Sequence, residues 1–407
     1  MTDWTGTDSD EWYGLDEESR AFLSETLGTT TRTTSTSREL TDALPTSGSP
    51  LAPVGAGAGL EELLVATVDA QASDLHLASG QPPHIRVQGT LRPIAGVGPI
   101  GPKQLESMLF AHLDADQRQT LLRRGDLELA LSSGSRRFRA ALFRQSGSLA
   151  AALRLIPSNK PNLDELGLPP AVRAFADHHS GLVLVTGRTG SGKSTTLAAA
   201  IEHINQTRAA HIITIEDPIE YRYTPARSVI QQREVGADTE SFATALRYAL
   251  RQDPDVILLG ELRDLETIST ALTAAETGHL VFATLHSSDA TGSITRIVDA
   301  FPEGQQNQVR AQLALSIRGC VSQQLVPDVN GRLTLVSEVM TATSGIRAMI
   351  RDEKAHQLHA ALETGGADGM HTFDQALAAA VRAGRISFDV ARSVAHRPSS
   401  LDNLLRR

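Results

Sequence analysis

The chain has 407 residues, 41% of them apolar and 21% charged, a net charge of −9 and a single cysteine, Cys320. That length implies two or three domains. One cysteine excludes a disulfide framework and a cysteine-rich metal site and points to a reducing, cytoplasmic setting, while no apolar run approaches the ~18 residues of a membrane span and no basic, apolar leader opens the chain.

Taken in chain order, residues 1–28 carry eight acids and one base, −7 in all, so the other 379 residues sum to only −2. The body lacks the basic excess of nucleic-acid binders, and no direct nucleic-acid partner is expected. Residues 1–28 also hold Trp4, Trp12, Tyr13 and Phe22, and a Ser/Thr- and then Pro/Gly/Ala-rich stretch follows. Too little apolar surface is available there to offset ordering entropy, so 1–58 is expected to be a disordered arm. Its aromatics are either solvated or a docking motif.

Ordered sequence starts near Leu60 with LEELLVATVDAQ, a short amphipathic helix. Five strand-like pieces follow: SDLHLA, HIRVQGTLRPI, DLELALS, RRFRAALFRQ and LAAALRLIP, punctuated by Gly, Pro and Ser. They predict a small α/β domain over 59–157, with a linker over 158–170. From 171 to 340 strands alternate with helices. LVLVT (182–186), HIITI (211–215), DVILLG (255–260) and HLVFATL (279–285) are near-continuous apolar runs, as a parallel sheet covered on both faces requires. Phe242, Ala245, Leu246, Ala249 and Leu250 form one helical stripe. Beyond 340 the chain reads as helical, with Ile346, Met349 and Ile350 on one face and a later helix near Phe373 to Arg382.

The segment LVLVTGRTGSGKS (182–194) fits the phosphate-loop pattern G-x-x-x-x-G-K-[ST]. Gly187, Thr189, Gly190, Ser191 and Gly192 supply a turn whose backbone N–H groups can surround phosphate oxygens. Lys193, Ser194 and Thr195 open a helix, roughly Lys193 to Asn205, that aims its positive end at the anion. Lys193 suits the β- and γ-phosphates of ATP, and the Ser194 hydroxyl suits Mg²⁺.

Three further groups belong with it. DVILLGELRD (255–264) ends a buried strand in acids, with Glu261 the candidate for orienting the attacking water. TIEDPIEY (214–221) gathers Glu216, Asp217 and Glu220 after another apolar strand. Because parallel strands collect ligand groups at their carboxyl ends, these acids are expected at the same crevice, aiding Mg²⁺ or the water. A third strand ends in His286, which can bond a γ-phosphate or an acid. Arg137, Arg139, Arg144 and Arg154 lie on the small domain's strands, where surface arginines are usually solvated or paired but, in a P-loop enzyme that works as a ring, can act in trans as arginine fingers on the nucleotide.

These boxes in this order, together with ASDLHLASGQPPHIRVQGTLRPI (72–94) and GGADGMHTFDQAL (365–377), resemble the secretion-superfamily ATPases across about 60–395, and within them the type IV pilus retraction branch. The resemblance implies a hexamer whose subunits pair a PAS-like N-terminal domain with a RecA-like P-loop domain and C-terminal helices, with ATP between the domains. It assigns Lys193 and Ser194 to the Walker A motif and Glu261 to the Walker B glutamate. Glu216, Asp217 and Glu220 become the Asp box, His279 and His286 the His box. It places two phosphate-reaching arginines, fifteen residues apart, at Arg139 and Arg154. It also implies a peripheral motor at the inner face of the cytoplasmic membrane, engaging an inner-membrane pilus platform protein.

Assembly and type II secretion members usually carry a four-cysteine zinc insertion, which one cysteine cannot supply. GIRAMIRD (345–352) stands where the retraction branch has a helix resembling AIRNLIRE. Both arginines and both isoleucines are kept, while Gly345, Ala348, Met349 and Asp352 depart. Arg188 stands where the family usually has Pro. The alternatives are an assembly, secretion or DNA-uptake motor, a nucleic-acid translocase, or a nucleotide-binding regulatory subunit.

Overall fold

The computed structural model describes residues 58–406 apart from Gln88, Ser135 and 157–161. The expected arm therefore lies outside the described residues, except for Ala58, which is buried in the first core.

Strands β1 (Asp74–Ala78), β2 (His84–Val87), β3 (Thr90–Pro93), β4 (Asp126–Ser133), β5 (Arg136–Gln145) and β6 (Ser148–Ile156) form an antiparallel sheet in the order β3-β2-β1-β6-β5-β4. Successive side chains on a strand face opposite ways. On β5 this puts Phe138, Ala140 and Leu142 in the core and Arg137 and Arg139 on the other face. The core is closed by Leu63 and Leu64 of the helix Leu60–Asp69 and Leu105 and Leu109 of the helix Pro102–Phe110. That second helix begins with proline at its first position, where the missing N–H costs nothing.

The second sheet runs through β7 (Gly181–Thr186), β8 (His211–Glu216), β9 (Val229–Glu234), β10 (Val256–Leu259), β11 (Leu280–Leu285), β12 (Ile317–Pro327) and β13 (Leu333–Thr341). Its order is β13-β12-β7-β11-β10-β8-β9, parallel throughout except for the β12–β13 hairpin. β7, β10 and β11 are buried at every position. The α/β class holds, but the four apolar runs name only part of this sheet. β9, VIQQRE, is an edge strand solvated on one face, so it has no apolar run to display. β12 buries the polar Ser322 and Gln323. Both serve the phosphate loop, as described below.

After β13 the chain is helical. Ile346 and Ile350 of the helix Ser344–Arg351 join the core of the second sheet, and the helix Phe373–Arg382 packs Phe373 and Leu377 beneath the final helices. Glu338 on β13 binds two helix N-termini at once, accepting from Ala290 N (2.8 Å) and Phe373 N (3.3 Å). Burial pushes its carboxyl from the ordinary 4.5 up to about 7, and Glu216 is raised to about 7 by the same cause. Each group therefore holds its proton more tightly folded than unfolded. The stability so gained is present below about pH 4.5 and is lost as pH rises to about 7, on the order of 1–3 kcal/mol per group. Glu338→Gln, neutral at any pH, is expected to flatten part of this slope when thermal midpoints are compared at pH 5 and pH 7.5. Identical slopes for the two proteins would refute the role of Glu338.

Candidate active site

The parallel strands bring their carboxyl ends to one side, and the phosphate loop leaves β7 there. Gly187, Gly190 and Gly192 all have positive φ, at 143°, 78° and 87°. At Gly187 space is as decisive as conformation, because an added Cβ would lie 2.3 Å from the Gln323 carbonyl oxygen and 2.5 Å from Ser191 Oγ. The helix Lys193–Thr207 opens on Gly192 with no side-chain cap. Its first N–H groups thus have no side-chain acceptor at this end, which is what an anion needs. Lys193 Nζ donates to Gly187 O (2.9 Å) and Arg188 O (3.0 Å), curling over the loop. Burial lowers its pKa, opposed by the charges of Glu261 and Glu220.

β12 supports the loop from behind. Gln323 Nε2 donates to Ser191 O (2.9 Å), and Ser322 Oγ bonds Thr186 Oγ1 (2.6 Å). Nothing in the motif spacing marks these residues. The available signal is a pair of polar residues inside a segment that otherwise reads as buried strand.

A cleft of about 600 Å³ lies between the two sheets. It is lined by Thr189, Gly190, Gly192, Lys193, Ser194 and Thr195 of the loop, by Glu216, Asp217 and Glu220, by Glu261 and His286, and by Arg139 and Arg154. Gly187 and Ser191 shape the loop rather than line the cleft. Arg188 faces a separate groove with Ser288, Gln323 and His396. His279 stays away from the cleft. It stands just before β11, its Nδ1 3.0 Å from Ala274 O at the end of the helix Leu265–Glu276, whereas His286 follows the strand's far end.

Glu261 is held by a backbone bond on either side, from Gly260 N to Ile215 O and from Leu262 N to Thr284 O. Its carboxylate pairs with Arg263 Nε (2.7 Å) and stands 3.3 Å from His286 Nε2. Glu216 is partly buried, with Thr214 Oγ1 donating to it at 2.6 Å. Tyr221, missed by motif reasoning, bonds Thr195 at 3.1 Å and ties the acidic loop to the loop helix.

Arg139 and Arg154 stand directly opposite one another on β5 and β6. Like charges in that position repel. Glu128 bonds Arg139 (3.0 Å) and Asp74 bonds Arg154 (2.8 Å), which offsets the repulsion. Burial pushes the Asp74 carboxyl up, but hydrogen bonds from Arg154 and Ser73 outweigh it and hold the group below its usual value. Both arginines line the cleft that the phosphate loop also lines.

Among the described residues no cluster of three or more His, Cys, Asp or Glu is placed to hold a metal alone. The donors instead suit Mg²⁺, which takes one or two carboxylates together with substrate phosphates.

The model of the type II/IV secretion system protein family matches residues 58–344. The chain belongs to that family. It is 44% identical to the type IV pilus retraction ATPase PilT of Pseudomonas aeruginosa over 342 residues, 84% of this chain and 99% of the relative. It is also 44% identical to a twitching motility protein of Neisseria gonorrhoeae over 322 residues, covering 78% and 86% of the two chains. Among solved structures, the pilus retraction motor PilT with bound ADP superposes with a TM-score of 0.81 at 43% identity, covering 85% of this chain and 99% of that one. Family members of this kind are ATPases that bind nucleotide. No helix among the described residues is long and apolar enough to cross a membrane.

Proposed function

We infer that this chain is an ATP-hydrolysing motor that drives type IV pilus retraction. One observation carries the chemistry: a single cleft collects the phosphate loop, the strand-end acids and a cross-strand arginine pair from the other sheet. Lys193 exchanges its two carbonyl partners for the β- and γ-phosphates of ATP. The free N–H groups at the start of the following helix bind the same anion. Glu261 orients the attacking water, with His286 beside it, and Glu220 adds to the acidic wall. Arg139 and Arg154 meet charge developing on the transferred phosphoryl group. Ser194, Glu216 and Asp217 would hold Mg²⁺, which when bound offsets phosphate charge. Burial raises the Glu216 carboxyl to about 7, so a nearby cation would favour its ionised form.

By likeness to the family the motor works as a homo-hexamer in the cytoplasm, recruited to the inner face of the membrane by a pilus platform protein. The domains run over 59–157 and 171–340, with a helical region over 341–407. In cells, deletion of the gene is expected to give hyperpiliated, non-twitching bacteria. Loss of pili would point to assembly instead. For the chemistry, Glu261→Gln is expected to bind ATP normally while hydrolysis falls on the order of 10²-fold, because the amide keeps the shape but orients water poorly. Retained hydrolysis in Glu261→Gln together with its loss in Glu220→Gln would move the water-orienting role to the acidic loop.

A further inference from the structure

Arg137 lies two residues before Arg139 on β5, on the same face of the strand. It forms a buried ion pair with Glu234 at the end of β9, on the second sheet. The two side chains are only 14% and 10% exposed. Glu234 Oε2 also accepts from Ile219 N at 3.2 Å. Ile219 sits between Asp217 and Glu220, so one carboxylate joins the acidic loop to the strand that carries Arg139. Arg139 and Arg154 themselves pair within the small sheet, with Glu128 and Asp74. Their bonds position them on that sheet but do not tie them to the phosphate loop.

A buried ion pair adds little net stability, since desolvation offsets most of the attraction. This one is poorly satisfied as well, because Arg137 Nε and Nη1 are buried with no hydrogen-bond partner.

We propose that Arg137 and Glu234 form a latch that sets the arginine pair and the acidic loop at one fixed separation across the nucleotide. Arg137 is then a positioning residue acting through Arg139. The latch closes the cleft without touching ATP. It rests on the reading of this cleft as the hydrolytic site.

The test uses the full chain and the double variant Arg137→Met/Glu234→Gln. The amide that replaces the Glu234 carboxylate can still accept the Ile219 N–H, and no lone charge is left buried. The acidic loop thus keeps its brace while the latch is lost. A displaced catalytic group lowers turnover steeply, and kcat is expected to fall on the order of 10-fold with KM for ATP and affinity for ADP unchanged. Arg137→Lys, which keeps the charge within reach of Glu234, should recover most of the turnover lost in Arg137→Met. Unchanged kcat in the double variant, a change confined to KM, or equal losses in Arg137→Lys and Arg137→Met would each overturn the latch. Failure of the underlying reading looks different: the wild-type protein itself would then fail to hydrolyse ATP.

Discussion

Lys193→Ala is expected to abolish ATP turnover. Lys193 is the cation that the phosphate loop itself brings to the β- and γ-phosphates, and in this structure it already spans the loop through Gly187 O and Arg188 O. Its half-buried position makes the charge effective. Burial lowers its pKa, and the charges of Glu261 and Glu220 oppose that shift. Losing a charge-assisted bond to developing phosphate charge should cost several kcal/mol in the transition state, a fall on the order of 10² or more in rate. Thermal stability should change little, because the two bonds lost are to carbonyls at the rim of the cleft. Steady-state hydrolysis by the purified variant, beside its melting temperature, checks both parts. Near-normal turnover would remove the phosphate loop from the chemistry.

The second large effect belongs to the facing sheet. Arg139→Ala and Arg154→Ala should each lower kcat on the order of 10-fold or more, although neither residue belongs to the phosphate-loop sheet. Their stability effects should differ. Arg139 is paired with an exposed Glu128, and removing it relieves the repulsion across β5 and β6, so its melting temperature should hold. Arg154 pairs with Asp74, whose side chain is 11% exposed, and its loss should leave that carboxylate under-compensated. The Arg154→Ala protein should therefore melt lower at pH 7, and because the pair holds the Asp74 carboxyl below its usual 3.8, the wild-type advantage should be lost only as pH falls below that value. Full hydrolytic activity in both variants would return these arginines to the surface.

Much of this site was legible in the sequence because its parts are local. A phosphate loop is a contiguous run between a strand and a helix, and each acid or histidine ends an apolar strand. Covered parallel strands must be apolar, and their ligand groups must sit at their carboxyl ends. From those facts alone Lys193, Ser194, Glu216, Glu261 and His286 could be assigned to one crevice, and the structure places them there. The spacing of Arg139 and Arg154 also came from sequence, but only through likeness to a family.

Other features depend on neighbours that are distant in the chain. β9 and β12 escape a rule built on apolar runs, one because it is an edge and the other because its buried polar groups brace the phosphate loop. That Arg139 and Arg154 face each other is a matter of hairpin register, and their support comes from Glu128 and Asp74, the latter 80 residues away from Arg154. Arg137 and Glu234 are 97 residues apart and carry no motif. Sequence pattern by itself determined which groups this chain offers to a nucleotide, since backbone conformation and strand burial act over a few residues. Only tertiary structure decided what holds those groups in place, because ion pairs, braces and register join residues whose separation along the chain no local pattern encodes.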